Sequence, residues 1–186
     1  LDCSGNAHHG ELGDLGPGDS AEPEWTSGIA GAGLLFNGLN DYVQVPDAPG
    51  LSLTSSFTIE CWVRLLGEPD KQGLINKGGS LDRNYRLMIG KGGTGEFAFK
   101  GPDGSDYEAV DPIGIYDTQW HHVAAVYDSA LSEQRVYVDG HLRASSSVSV
   151  GPTTSMDPLL LGARKTSVIK DYLNGALDQV RISHEV

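Results

Sequence analysis

Apolar and polar residues alternate along several short stretches of the chain, and this period of two predicts β-strands. The clearest stretch runs from residue 57 to residue 65. One of its faces carries Phe57, Ile59, Cys61 and Val63, and the other carries Glu60, Trp62 and Arg64. The first face is expected to fill a core. No window of about a dozen residues carries a convincing apolar stripe at helical spacing.

Turn residues separate these stretches. Asn37-Gly38 and Asp139-Gly140 are tight-turn signals, and the glycine-rich run 90–95 predicts a hairpin connection. The predicted strands are 34–36, 41–45, 51–53, 57–65, 73–77, 85–89, 96–100, 107–110, 120–127, 134–138, 141–147, 159–161 and 175–182. Many short strands at a spacing of roughly ten residues predict an all-β fold, a jelly-roll β-sandwich of two antiparallel sheets.

The first 33 residues have a different composition, dominated by Gly, Asp, Ser, Asn and Pro. This composition is typical of a disordered arm. Trp25 and Ile29 interrupt it, however, and residues 9–12 favour a short edge strand. We therefore predict that residues 1–33 form an ordered loop that wraps the sandwich, pinned by Trp25.

The charge narrows the range of partners. A formal net charge of −12 opposes binding to phosphate backbones, so nucleic acid is not an expected partner. No apolar run is long enough to insert into a membrane. The 186 residues suit one domain. Because the chain starts at Leu1 rather than Met, we expect it to be a mature or excised piece of a longer protein.

Two cysteines, Cys3 and Cys61, leave two alternatives open. A disulfide would tie the N-terminal loop to an inner strand. Otherwise Cys61 is a buried thiol and Cys3 is unrelated to it.

Several phrases occur in an order that resembles a known family. They are 2–6 with 9–10 (DCSGN, HG), 33–43 (GLLFNGLNDYV), 57–63 (FTIECWV), 120–124 (WHHVA), 136–140 (VYVDG), 161–162 (LG) and 174–182 (NGALDQVRI). Together they resemble the laminin-G-like, concanavalin A-like jelly-roll domains that are often accessory modules of secreted bacterial proteins. The resemblance implies a secreted or cell-surface recognition domain. It does not specify a ligand, because one fold hosts many functions.

The resemblance also implies a structural calcium where the N- and C-terminal segments meet. Calcium binds about six to eight oxygen atoms from carboxylates, amides and backbone carbonyls. The candidate ligands are Asp2, Asn6, Asn40, Asp41 and Asp178. The alternative is that these are ordinary turn and capping residues.

A shallow groove on the concave sheet is the predicted glycan site. Sugars stack on aromatic faces, and charged or amide side chains bind their hydroxyl groups. The candidate residues are Trp62, Arg64, Lys77, Tyr85 and Arg86. The alternative for Trp62 is that it packs beneath a loop, because tryptophan is highly buried on average.

No catalytic motif stands out. Sandwich glycosidases carry paired carboxylates on one strand, and residues 60–64 and 96–100 each contain one acid alone. The adjacent pairs His8-His9 and His121-His122 cannot each clamp one metal on an extended strand, because neighbouring side chains point to opposite faces. We predict a buried His122 and an exposed His121.

The expected function is therefore non-catalytic binding of a polysaccharide or a glycoprotein glycan. A protein-binding adhesion module is the first alternative, and a glycoside hydrolase is the second.

Overall fold

The computed structural model describes residues 2–13, 20–67, 70–115 and 117–186. Its strands are β1 (Glu11–Leu12), β2 (Glu24–Ser27), β3 (Ala32–Asn37), β4 (Val43–Val45), β5 (Phe57–Leu65), β6 (Gln72–Lys77), β7 (Tyr85–Ile89), β8 (Gly95–Lys100), β9 (Asp106–Val110), β10 (Trp120–Asp128), β11 (Glu133–Val138), β12 (His141–Ser147), β13 (Leu159–Leu161), β14 (Arg164–Lys165), β15 (Ile169–Lys170) and β16 (Asn174–Ser183).

Two antiparallel seven-stranded sheets form a jelly-roll sandwich, as predicted. The first sheet has the order β1-β4-β13-β6-β7-β8-β9, and the second has the order β12-β11-β10-β5-β16-β3-β2. Alternation along β5 is strict: Phe57, Ile59, Cys61 and Val63 are fully buried, and the residues between them are partly exposed. The core between the sheets contains apolar side chains from both, including Phe97 and Phe99 of β8.

The turn signals predicted the connections well. Asp139 and Gly140 both have positive φ angles, of 51° and 75°, as a two-residue hairpin turn requires. The hairpin between β7 and β8 pairs Met88 with Glu96. One predicted strand is wrong: residues 51–53 are not a strand, and a 3-10 turn covers Pro49–Leu51 instead. The proline fixes the φ angle of the turn's first residue and donates no hydrogen bond.

The N-terminal segment contributes a strand to each sheet. β1 pairs with β4 at one edge of the first sheet, and β2 pairs with β3 at one edge of the second. The edge strand predicted within residues 9–12 is thus confirmed, whereas β2 was not foreseen. Residues 1 and 14–19 of the predicted wrapping loop lie outside the described residues.

A second, smaller apolar cluster lies outside the core. It consists of Ala21, Tyr42, Leu160 and Ala163, with Ile169 and Tyr172 packed against them. Leu160 pairs with Asn76, which pairs with Arg86, so all three side chains project from the outer side of the first sheet. The short hairpin of β14 and β15, here called the covering hairpin, therefore shields part of this outer side. In the part of the chain that is described, no helix is long and apolar enough to cross a membrane.

Candidate functional site

The five predicted groove residues do not lie on one surface. Trp62 and Arg64 project outward from the second sheet, whereas Arg86 projects outward from the first. Lys77 and Tyr85 are cross-strand partners on the inward side of the first sheet, and both are fully buried. The sequence interpretation failed because it treated strands of different sheets as neighbours.

The two buried members have structural partners. The Tyr85 hydroxyl donates a 3.0 Å hydrogen bond to the Leu51 carbonyl, and its ring packs 5.8 Å from that of Phe57. Lys77 Nζ donates to a carboxylate oxygen of Asp47 and to the Ser155 carbonyl. Neither residue is accessible to a ligand.

The outward side of the second sheet, around Glu60, Trp62 and His122, is called the Trp62 face. The Trp62 ring lies 5.4 Å from the His122 ring, and His122 Nε2 lies 3.2 Å from Glu60. The Arg64 guanidinium covers Trp120 at 5.3 Å, an attractive cation–π geometry. His122 is partly exposed on this face, so the prediction that it is buried is wrong. Val123 points into the core, and His122 must therefore point the other way.

The outward side of the first sheet carries a charged cluster. We call the surface around Asn76, Arg86, Glu96 and Glu108 the Arg86 face. Register aligns Asn76, Arg86, Ala98 and Glu108 in one row across four strands. The Arg86 guanidinium lies 3.3 Å from a Glu108 oxygen and 3.8 Å from a Glu96 oxygen. The Arg86 side chain is 5% exposed, and that of Glu108 is 48% exposed.

Further ion pairs border this cluster. Arg83 and Lys100 both contact Asp106, at 2.8 Å and 3.2 Å. On the other side, Arg164 of the covering hairpin pairs with Asp171. Burial, followed by the nearby Arg83 and Arg164 guanidinium groups, lowers the pKa of Arg86 to about 10. The group stays protonated at neutral pH.

Glycine permits the covering hairpin to approach the sheet. A Cβ atom on Gly73 of β6 would lie 2.3 Å from the Ala163 carbonyl carbon, which leaves no room for a side chain. This close approach places Arg164 beside the Arg86 face.

Four buried polar atoms of this region have no hydrogen-bond partner among the described residues. They are Asn76 Oδ1, Arg86 Nε, Arg164 Nε and Asp171 Oδ2. A buried donor or acceptor without a partner costs about 1–3 kcal/mol. A buried charged cluster with unpaired atoms on an outward sheet face therefore marks a candidate binding site.

Sequence reasoning identified Arg86 but missed Asn76, Glu96, Glu108 and Arg164. The signal for Glu96 was present, since Glu96, Ala98 and Lys100 alternate with Phe97 and Phe99 along β8. That alternation shows which side of the sheet they occupy. Their proximity to Arg86 depends on strand order and register.

The five predicted calcium ligands do not fit one site. They lie in three places: Asp2 and Asn6 in the N-terminal loop, Asn40 and Asp41 after β3, and Asp178 in β16. Asn37 of β3 pairs with Asn174 of β16, and this pairing continues to Leu34 and Leu177. Asp178 therefore lies about 13 Å along the strands from the turn that follows Asn37. The Asp2 loop lies near the 3-10 turn instead, because His8 N donates to Asp2 and a Cβ atom on Gly50 would lie 3.1 Å from His8 Nε2.

Protein donors already occupy the three carboxylates. Asp41 accepts hydrogen bonds from the amide and side chain of Asn37, and Asp178 accepts from Ala30 N and Gln179 N. Hydrogen bonds from Ser4 and then His8 lower the pKa of Asp2 to about 2. Among the described residues, no group of three or more His, Cys, Asp and Glu side chains is arranged to hold a metal ion. Calcium binding remains a prediction, and the five predicted ligands do not come together to form a site for it.

Trp25 does not pin the N-terminal segment, contrary to the prediction, because its side chain is 67% exposed. It borders an apolar cavity of about 140 Å³ at the edge of the sandwich, whose lining includes Leu34, Leu161 and Leu177. The cavity lies between β3 and β16 of the second sheet and β13 of the first. It is separate from the Arg86 and Trp62 faces.

Two packed antiparallel sheets in this strand order define the class as a jelly-roll β-sandwich domain. The family model described as the concanavalin A-like lectin/glucanases superfamily (Laminin_G_3) matches residues 36–186, and the chain belongs to this family. Among curated proteins, none matches the chain significantly.

Solved structures share the fold at low sequence identity. The binding domain of Paraclostridial Mosquitocidal Protein 1 is 18% identical with a TM-score of 0.77, and the match covers 100% of this chain and 46% of that one. The chain therefore spans less than half of that domain's length. Domain 4 of AbnA, a GH43 extracellular arabinanase from Geobacillus stearothermophilus in complex with arabinotriose, is 20% identical with a TM-score of 0.71, over 94% of this chain and 81% of that one.

A third similar structure is the CBM40 domain of Ruminococcus gnavus IT-sialidase bound to α2,3-sialyllactose. It is 18% identical with a TM-score of 0.65, and the match covers 74% of this chain and 80% of that one.

Proposed function

We propose that this domain is a non-catalytic, extracellular carbohydrate-recognition module that binds a glycan on the Arg86 face. The observation that carries the proposal is the buried Arg86 guanidinium, held between two glutamates on an outward sheet face with its Nε unpaired. Burying a charge costs free energy unless partners compensate for it. A ligand hydroxyl group would supply a missing partner.

The surroundings support a shallow binding surface. Glu108 and Asp106 are each 48% exposed, so their carboxylates are open to a ligand's hydroxyl groups. The covering hairpin forms one border, and the edge strand β9 forms the other. The glycan-bound arabinanase and CBM40 domains agree with this class of ligand, as proteins of the same fold.

The Trp62 face is the second candidate surface for the same function. Its supporting observation is the partly exposed Trp62 ring packed beside His122, because aromatic rings stack against sugars. Arg64 and His122 already cover parts of its two tryptophans, however. We therefore place the primary site on the Arg86 face.

The test is a glycan array followed by calorimetric titration with the glycans that bind. Glu108→Gln keeps the size of the side chain and removes its charge at a half-exposed position, so folding is expected to be retained. We expect this substitution to weaken binding about tenfold, as for the loss of one charged hydrogen bond. The matched control is Glu60→Gln on the Trp62 face, which is expected to leave the affinity unchanged.

Other outcomes would contradict the proposal. Loss of binding in Trp62→Ala and Glu60→Gln, with Glu108→Gln unaffected, would move the site to the Trp62 face. A purified protein partner bound in the absence of any glycan signal would favour an adhesion module. Release of reducing sugar that stops in Glu96→Gln or Glu108→Gln would show a glycoside hydrolase.

A further inference from the structure

Every cation that the structure describes on the Arg86 face and its border lies near a carboxylate. The cations are Arg83, Arg86, Lys100, Arg164 and Lys170, and the carboxylates are Glu96, Asp106, Glu108 and Asp171. Each cation has a carboxylate within ion-pair distance. Three guanidinium groups on one face would by themselves attract an anion, but here none lacks a negative partner.

An acidic ligand would meet these carboxylates directly. To reach the Arg86 guanidinium, a ligand carboxylate would have to displace Glu96 or Glu108 or lie beside both. Like charges placed together at an interface weaken binding strongly. The net charge of −12 also opposes the approach of an anion.

The unpaired atoms have mixed polarity. Arg86 Nε and Arg164 Nε are donors, whereas Asn76 Oδ1 and Asp171 Oδ2 are acceptors. A carboxylate only accepts hydrogen bonds and would leave Asn76 Oδ1 without a partner. A hydroxyl group both donates and accepts, so sugar hydroxyl groups have the polarity to pair with either kind of atom.

We infer that the Arg86 face selects uncharged saccharides and discriminates against saccharides that carry a carboxylate. This inference rests on the proposed function and specifies the ligand class of the same site. It separates this domain from a structural neighbour in the same fold that is bound to sialyllactose, an acidic saccharide.

The experiment compares neutral saccharides with acidic relatives that carry carboxylate groups. Galactotriose is titrated against galacturonotriose, in which each C6 hydroxymethyl group is a carboxylate. Lactose is titrated against α2,3-sialyllactose, in which an added sialic acid residue carries the carboxylate. A glycan array with both classes precedes the titrations and supplies a further neutral and acidic pair when neither of these pairs binds. We expect each neutral member to bind at least about tenfold more tightly than its acidic partner.

Charge variants test whether the carboxylates of the Arg86 face cause the discrimination against acidic saccharides. Glu108→Gln removes one negative charge and is expected to reduce the difference in affinity between the neutral and acidic saccharides. Glu60→Gln is expected to leave this difference in affinity unchanged. Raising the salt concentration is expected to reduce the difference in affinity as well, because it screens the repulsion at the exposed carboxylates. Equal or tighter binding of the acidic members by the unaltered domain would overturn the inference while leaving glycan binding intact. Absence of binding to both classes on the array would overturn the proposed function, and this inference with it.

Discussion

Lys77 Nζ lies 2.5 Å from Asp47 Oδ1, and the Lys77 side chain is fully buried while that of Asp47 is 35% exposed. The lysine also donates to the carbonyls of Ser155 and Asp157. This pair joins the end of β6 to two loops. Lys77 therefore has a structural role, although the sequence predicted that it binds the glycan.

Asp47→Asn is expected to destabilise the fold by about 2 kcal/mol, because it leaves the buried ammonium group without its counter-charge. The value is lower than for a fully buried pair, since water reaches Asp47. The measurement is the free energy of unfolding in urea. As a control, Lys165→Met removes the partly exposed pair with Asp157 and is expected to cost less than about 1 kcal/mol. Equal losses in the two variants would contradict a special role for Lys77.

Gly162 and Gly104 share a φ angle of +79° but differ in their surroundings. A Cβ atom on Gly162 would lie 2.2 Å from Phe36 Cε1, whereas one on Gly104 has nothing within 4 Å. Gly104→Ala is expected to cost about 1 kcal/mol through backbone strain alone. Gly162→Ala is expected to cost at least about 2 kcal/mol more, because Phe36 must also move in the core. Similar melting temperatures for the two variants would rule out the steric contribution.

His121 is held between two carboxylates, with Nδ1 2.8 Å from Asp139 and Nε2 2.8 Å from Asp117. Burial disfavours the charged ring, but hydrogen bonds and charges from Asp139 and Asp117 outweigh it, so the pKa of His121 is raised above 6.5. A raised folded-state pKa stabilises the fold fully below the unfolded-state pKa. That stabilisation is lost as the pH rises through the folded-state value.

We therefore expect stability to fall as the pH rises above the ordinary histidine pKa of about 6.5 in the unaltered domain, and to fall less in His121→Gln. NMR titration of the ring should give a pKa above that of a free histidine and a lower one in Asp117→Asn. An unchanged pH profile in His121→Gln would show that other groups cause the dependence.

The two cysteines are not joined by a disulfide, which decides between the two alternatives left by the sequence. Cys3 is exposed and Cys61 is buried. Burial, with a smaller effect from Glu60, raises the pKa of the Cys61 thiol to about 12. We expect a thiol reagent to modify one cysteine per folded chain and two after unfolding. Cys3→Ser should abolish the reaction of the folded chain, and a persisting reaction would contradict the buried position of Cys61.

Calcium binding can be tested independently of any glycan. Because Asp2, Asp41 and Asp178 lie in three places and accept hydrogen bonds from the protein, we expect millimolar calcium or EDTA to leave the melting temperature unchanged. The control is the same experiment with magnesium. A calcium-specific rise that disappears in Asp41→Asn or Asp178→Asn would overturn this expectation and locate the site.

The strands and their inward faces were predictable because alternation is a local property. Phe57, Ile59 and Val63 repeat with the period of a strand and are all buried. Local turn signals such as Asp139-Gly140 located hairpins for the same reason. The histidine pair shows the limit of this local rule. Alternation did not show at which residue of β10 the core-facing positions begin, so it could not assign His121 and His122 to faces.

The amino-acid sequence by itself determined the all-β class, most strand positions and the family, because side-chain alternation and turn chemistry act over a few residues. Only the tertiary structure decided which outward residues meet. Arg86 is 10 positions from Glu96 and 22 from Glu108 in the chain, yet strand order and register bring both glutamates to one guanidinium. The same long-range pairing buried Lys77 and Tyr85 and separated the predicted calcium ligands, because sheet pairing joins residues that no local pattern relates.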